Sequence, residues 1–434
     1  MRRSVRSMLA LAGAVILAVP FVGAVLSRPA LAEEPTQLVA DEPTESVGEG
    51  VFGPDLSEPG SVQPVLAENG RPSTGQAAEP ALDLRSPSAV LMDVLTGTVL
   101  YEKGADDRRE PASLTKIMTL LLAVEAIEQG RLKLTDKIVA SENAESYGGT
   151  EIWLEPGEEM SVEDILLAIA VASANDAAVA LAEHMCGSER EFVARMNERA
   201  KQLGMTGTNF VNCHGLDDKD HYTTARDMAI LSCEACRHPD LLHYTSIYEI
   251  HIRGGKTWLV NRNRMLNYYQ GCDGLKTGWT GLAGYSVAVT AKRGGTRLVA
   301  VVLGAENPND RFADCVKMLN WGFVTYSSLV AAEKGLSYGA VPVSLGTCRE
   351  VEAVAPEDGG VLLKKGQEDE VTREVVLAET LKAPVRRGDP VGSIVVRLGD
   401  TEIGRFPLVS DRDVGRISLP GLWWRLFARV LGAM

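Results

Sequence analysis

The stretch Ser113-Leu-Thr-Lys-Ile-Met-Thr-Leu-Leu-Leu-Ala-Val-Glu-Ala-Ile-Glu-Gln129 anchors the reading of this 434-residue sequence. Its apolar residues recur at helical spacing, Pro111 stands just ahead and Gly130 follows, so a helix is expected over 113–129. Upstream, Ser88-Ala-Val-Leu-Met-Asp93 and Thr98-Val-Leu-Tyr-Glu-Lys103 read as two strands joined through Thr96-Gly97. Downstream, a helical region opens at Ser161, with Asp164 as a capping-box-like partner, and continues through 165–171. Ser173-Ala-Asn175 then interrupts it, because Ser and Asn compete for backbone hydrogen bonds, and helix resumes over 177–185. A further helix is expected over 224–237. Residues 284–290 and 297–303 alternate as strands around Lys292-Arg-Gly-Gly295, and 309–323 returns to helix. Strands at both ends with helices between imply an α+β domain built on an antiparallel sheet, assigned to 83–330. Short apolar runs between Gly, Pro and Asp clusters then give a small all-β domain, assigned to 336–412.

The two ends of the chain differ from this body. Arg2, Arg3 and Arg6 precede an almost uncharged apolar run over 8–26, and Ala30-Leu31-Ala32 stands ahead of Glu33-Glu34. That is the form of a cleaved signal peptide over 1–32; the run approaches spanning length, but the small-residue triplet favours cleavage over a retained anchor. Residues 33–82 hold ten acidic residues, seven prolines and a single aromatic, Phe52. Such a segment cannot offset its ordering entropy by burial and reads as a disordered acidic linker. At the far end, over 416–434, Leu422, Trp423, Trp424, Leu426, Phe427, Val430 and Leu431 fill one side of a helical wheel. Arg425 and Arg429 share the remaining arc. This amphipathic helix is too short to span a bilayer but suits the headgroup boundary.

The formal charge of −14 makes nucleic acid a poor partner, since affinity for it comes from basic groups that displace counterions. Seven cysteines, an odd number, leave at least one unpaired within the chain. Cys233-Glu-Ala-Cys236 falls late in a helix, where thiolate stabilisation is not expected. Neither it nor His238 and His243 makes a metal site, and no metal or organic cofactor is implied.

Chemistry concentrates in three short motifs in fixed order: Ser113-Leu-Thr-Lys116 at a helix start, Ser173-Ala-Asn175 at a helix break and Lys276-Thr-Gly278 just before a strand. A serine hydroxyl needs a base, and Lys116, one helical turn on, is within reach of Ser113. Lysine serves as a base only if burial or a second cation, Lys276, lowers its pKa. Ser173 could relay a proton to a leaving amine, and Asn175 could orient Lys116 or bond a substrate amide. Lys276 and Thr277 suit a substrate carboxylate, and Gly278 would let a peptide-like substrate lie close to the backbone.

This motif set is shared by penicillin-binding proteins and class A β-lactamases. With Pro111-Ala-Ser-Leu-Thr-Lys-Ile-Met-Thr119, Asn212-Cys-His-Gly-Leu216 and Asp273-Gly-Leu-Lys-Thr-Gly-Trp-Thr280, the chain resembles the serine-type D-alanyl-D-alanine carboxypeptidases, low-molecular-mass penicillin-binding proteins. The likeness runs over about residues 84–412. It implies a β-lactamase/transpeptidase-like domain and removal of the terminal D-alanine from peptidoglycan pentapeptides through a Ser113 acyl-enzyme. Lys116 would accept the proton, and β-lactam antibiotics would acylate Ser113. By the same resemblance the backbone N–H groups of Ser113 and Trp279 form an oxyanion hole, and Lys276 and Arg311 lie at the substrate carboxylate. The protein is expected on the outer face of the cytoplasmic membrane, held by its terminal helix. A class A β-lactamase needs a Glu four residues before an Asn for deacylation, and no such pair occurs in the chain. A penicillin sensor without activity would need a transmembrane link to an inner domain, and none is visible after residue 32.

Overall fold

The computed structural model of the chain describes residues 82–430. The expected signal peptide and all but the last residue of the acidic segment lie outside the described residues. Within them, the elements that build the site are, in chain order, β1 (Ser88–Asp93), β2 (Val99–Lys103), α1 (Lys116–Glu128), α2 (Asn175–Cys186) and α3 (Ala225–Ala235). Next come β3 (Glu249–Ile252), β4 (Thr257–Val260), β5 (Cys272–Thr280), β6 (Gly284–Arg293), β7 (Thr296–Ala305) and α4 (Pro308–Thr325).

The central sheet has the order β2-β1-β7-β6-β5 and is antiparallel throughout, as strands from the two ends of the domain come together. In β1 the side chains alternate between two apolar layers. Val90 and Met92 join the helical core of α1, α2 and α3, while Ala89 and Leu91 face Phe312, Met318 and Leu319 of α4. Helices on both faces thus bury the sheet. α1 is apolar almost all round, and nine of its residues are buried, as its central place in the larger core requires.

Caps follow the sequence signals. Ser161 Oγ accepts from the Asp164 N–H at 3.1 Å, and Thr224 Oγ1 accepts from the Asp227 N–H at 3.1 Å. The expected interruption near Ser173 is present: a π-helical turn over Ala168–Ala172 ends at Ser173, whose φ of 71° is left-handed, and Ala174 is extended before α2 begins. One expectation is corrected. Lys276-Thr-Gly278 does not precede a strand; it lies inside β5, at the edge of the sheet, with Lys276 opposite Ala288 and Gly278 opposite Ser286. Its Gly and Lys content hid a strand that the sheet itself stabilises.

The C-terminal part is all β. Tyr326–Ala332 pairs with Gly359–Lys364, and a six-stranded sheet includes Ser337–Ser344, Glu350–Val354, Val371–Leu377, Pro390–Leu398 and Thr401–Ser410. Ser328 ties it to the first sheet: its N–H donates to Thr296 Oγ1 at 2.8 Å, and its hydroxyl bonds the buried Asp93 carboxylate. A final helix, α5 (Leu419–Val430), follows.

Candidate active site

Ser113 sits in a single 3-10 turn, Ala112–Thr115, that leads directly into α1. The residue before it, Ala112, has a φ of 47°, a left-handed conformation costly for a residue with a Cβ. Two glycines hold it there. A Cβ on Gly215, itself at φ 92°, would stand 1.9 Å from the Ala112 carbonyl oxygen. A Cβ on Gly278 would meet Leu114 Cδ1 at 2.9 Å, Ala112 Cβ at 3.0 Å and Ser113 N at 3.1 Å. Gly278 therefore has a task beyond the one expected of it: its missing side chain admits the serine turn against β5.

Lys116 is fully buried, yet its amine meets three oxygens: Asn175 Oδ1 at 2.6 Å, the His214 carbonyl at 2.6 Å and Ser113 Oγ at 3.3 Å. A neutral amine has two N–H donors and one lone pair. The two short contacts take the donors, which leaves the lone pair for the Ser113 hydroxyl. Burial drives the Lys116 pKa down to about 7, against the pull of nearby Cys213 and Asp176. Lys276 is also buried, and its pKa falls well below that of a free lysine through desolvation and then repulsion from Lys116, Arg262 and Arg311.

Asn175 is fixed from two more sides. Its Nδ2 donates to the Gly148 carbonyl at 2.8 Å, and its backbone N–H donates to the Thr150 carbonyl at 2.7 Å. Asp176 beside it has no exposure; its carboxylate accepts from the N–H groups of Ile152, Leu154 and Ala177. The first turn of α2 thereby orients Lys116 through Asn175 and anchors the 148–154 loop.

Ser113, Ser173, Thr277, Gly278, Trp279 and Arg311 line one cleft of about 280 Å³. Lys116, Asn175 and Lys276 lie behind this lining, each bonded to one of its residues: Lys116 to Ser113 Oγ, Asn175 to the Thr150 carbonyl and Lys276 to the Thr277 carbonyl at 3.1 Å. Arg311 is almost fully buried; its Nη1 donates to the carbonyls of Gly278 (2.9 Å) and Ser286 (3.0 Å), while Nε has no partner. Burial lowers its pKa to about 10. Thr150, Arg262 and Tyr285 complete the lining and were missed. Each comes from a loop or strand end without a motif, and only the fold brings them here. The carbonyl of His214 carries no such signal either, although it lies within Asn212-Cys-His-Gly-Leu216, because backbone groups leave no signature in side-chain identity.

The cysteines stay outside this chemistry. All seven are unpaired, and burial pushes the Cys233 thiol well up and the Cys236 thiol to about 11, the opposite of a reactive pair. Glu125, Glu234 and His238 converge elsewhere, but Arg199 already bridges the two carboxylates at 2.7 and 2.6 Å.

Residues 74–307 match the D-alanyl-D-alanine carboxypeptidase family, and residues 326–416 match the penicillin-binding protein 5 C-terminal domain. The chain belongs to the D-alanyl-D-alanine carboxypeptidase family. It is 41% identical over 331 residues to D-alanyl-D-alanine carboxypeptidase DacF of Bacillus subtilis, covering 75% of this chain and 85% of that one. With D-alanyl-D-alanine carboxypeptidase DacC of Escherichia coli it shares 36% identity, over 81% of this chain and 90% of that one. The solved structure of penicillin binding protein 5 from Haemophilus influenzae superposes with a TM-score of 0.64 at 33% identity, covering 77% of this chain and 98% of the other. The resemblance read from the motifs is thus shown, with the fold and the serine-type carboxypeptidase activity it implied.

Proposed function

We propose that Ser113 is the acylated nucleophile of this carboxypeptidase and Lys116 the base that activates it. The carrying observation is the Lys116 amine, desolvated and doubly engaged by Asn175 and the His214 carbonyl, with its free valence toward Ser113 Oγ. Lys116 takes the hydroxyl proton as Oγ attacks the carbonyl carbon of the penultimate D-alanine of a peptidoglycan stem peptide. Negative charge gathers on the carbonyl oxygen, where the N–H groups of Ser113 and Trp279, both residues of the cleft lining, stabilise it. Collapse breaks the C–N bond, Ser173 hands the proton to the departing amine, and D-alanine leaves. Water then attacks the ester and returns the proton through Lys116.

The terminal carboxylate of the substrate is held by the Thr277 hydroxyl and by the positive field of Lys276, Arg262 and Arg311. Two guanidinium groups in the lining, Arg262 and Arg311, favour an anionic group there, and they act on Lys276 close behind. β-Lactams acylate the same hydroxyl. Intact-mass measurement with a penicillin tests this: one adduct on the wild type and none on Ser113→Ala. D-alanine release from diacetyl-Lys-D-Ala-D-Ala must be lost in the same variant. An adduct that persists in Ser113→Ala refutes the assignment.

The same reading puts the protein outside the cytoplasmic membrane, after cleavage of 1–32, and against its surface through α5. Support comes from Trp423, Trp424 and Phe427, all exposed, while Arg425 donates to the carbonyls of Gly346 and Thr347 at 3.0 Å. No helix of the described residues is long and apolar enough to cross a membrane. Flotation of chains with and without residues 411–434 on vesicles tests this; equal flotation refutes it.

A further inference from the structure

Two exposed tryptophans, each a few residues along the chain from a cleft-lining residue, have no task in the chemistry above. Trp153 is 74% exposed, and its φ of 54° is a left-handed conformation that a bulky residue adopts only when its surroundings force it. The forcing groups are identifiable. The buried Asp176 carboxylate accepts the N–H groups of Ile152 and Leu154, on either side of Trp153, and draws both neighbours into the core. Arg253, also left-handed at 54°, donates to the Ile152 carbonyl at 2.8 Å and to the Trp153 carbonyl at 3.4 Å, and pairs with Glu158 at 2.7 Å. The backbone is pinned on both sides so that the ring alone points outward.

Arg253 follows β3 in the turn, and its Nη1 also reaches Thr257 Oγ1 at 3.3 Å, where β4 begins. The next residue, Trp258, is 60% exposed and stacks on His251 of the paired strand. One guanidinium therefore joins the segments that carry both exposed indoles.

We propose that Trp153 and Trp258 form an aromatic platform for the glycan strand that bears the stem peptide. The proposal rests on the carboxypeptidase reading and extends it beyond the peptide. Reach supports the match. Trp153 is three residues from the cleft residue Thr150, and Trp258 four from the cleft residue Arg262, so the indoles begin within about 10–14 Å of the lining. An extended stem peptide places three residues, about 10–11 Å, between the penultimate D-alanine and the sugar. Chemistry supports it too. Pyranose rings present flat C–H faces that suit exposed indoles, and an exposed aromatic patch beside a substrate cleft marks an interaction site. The loop 151–159 carries Glu151, Glu155, Glu158 and Glu159 and no base, which disfavours an anionic lipid surface on the Trp153 side of the pair.

The test compares kcat/KM on polymeric, uncrosslinked disaccharide-pentapeptide strands with kcat/KM on diacetyl-Lys-D-Ala-D-Ala. The polymer-to-peptide ratio is expected to fall at least tenfold in Trp153→Ala/Trp258→Ala, and Trp153→Tyr in a wild-type background should keep most of it. Penicillin acylation of each variant reports a folded site. Glycan strands stripped of stem peptides should quench the tryptophan fluorescence of the wild type more than that of the double variant. An unchanged ratio overturns the proposal, as does an unchanged ratio with a shift in sedimentation, which would make the patch a contact between copies. Failure of the wild type on the short peptide instead strikes the carboxypeptidase reading, and leaves glycan quenching as a separate result.

Discussion

Titrating Lys116 tests the proposed mechanism at its centre. In water a lysine amine is almost wholly protonated below pH 9, whereas burial here lowers the pKa from 10.5 to about 7. That difference corresponds to about 5 kcal/mol disfavouring the charged form. If the neutral amine is the base, the second-order rate of acylation by a fluorescent penicillin should rise tenfold per pH unit below 7 and level off above it. At pH 5 about one molecule in a hundred has the free amine, so the rate should be about a hundredfold below its plateau. The two nearby imidazoles cannot supply this limb, because burial holds His214 at about 3 and His221 at about 4. Lys116→Ala should lose about 10³-fold in rate, within the usual range for a positioned base, and its residual rate should lose the limb. The same shift has a stability signature. The folded amine binds its proton less tightly than the unfolded one, so the penalty is complete below pH 7 and is relieved as pH rises from 7 to 10.5. A rate that is flat from pH 5 to 8, or a Lys116→Ala rate within tenfold of wild type, would refute the assignment of the base.

Other substitutions follow from the packing. Gly215→Ala drives a Cβ to 1.9 Å from a backbone oxygen at a left-handed φ; it should cost several kcal/mol in chemical denaturation and abolish acylation. Gly278→Ala meets side-chain atoms and Ser113 N at 2.9–3.1 Å; melting should shift modestly while acylation falls at least tenfold, because the displaced group is the nucleophile's own turn. Asp176→Ala leaves three buried N–H groups without their acceptor; it should destabilise by about 3–5 kcal/mol and speed proteolysis in the 148–154 loop. Arg297→Ala breaks a two-pronged pair with Asp273, both contacts 2.8 Å; a loss of about 2–3 kcal/mol is expected, since both groups are largely shielded from water.

What could be read from the chain was what side-chain identity encodes. Ser113 and Lys116, three residues apart, announced a shared face, and Ser173 and Asn175 announced a break in a helix, where the turn at Ser173 is in fact left-handed. What could not be read depends on backbone or on distant neighbours. The His214 carbonyl reaches Lys116 across 98 positions, and any residue supplies a carbonyl. Arg262 and Thr150 enter the cleft from loops whose course only the folded sheet and α2 dictate. The second role of Gly278, against the serine turn, could not be read, because the approach of that turn to β5 is a tertiary contact between segments more than 160 residues apart. Burial was expected to depress the pKa of Lys116, with Lys276 adding to it; desolvation does lead, and the repulsion between the two amines is felt on Lys276.

Gly215 and Gly278 press on the nucleophile's turn from two directions with nothing beyond Cα. A floor built this way has no side chain left to trim and no room for one to grow. Natural variation that alters which antibiotics this protein admits is therefore channelled to the perimeter, to Arg262, Trp279 and Tyr285, where a change of shape leaves the reactive hydroxyl undisturbed.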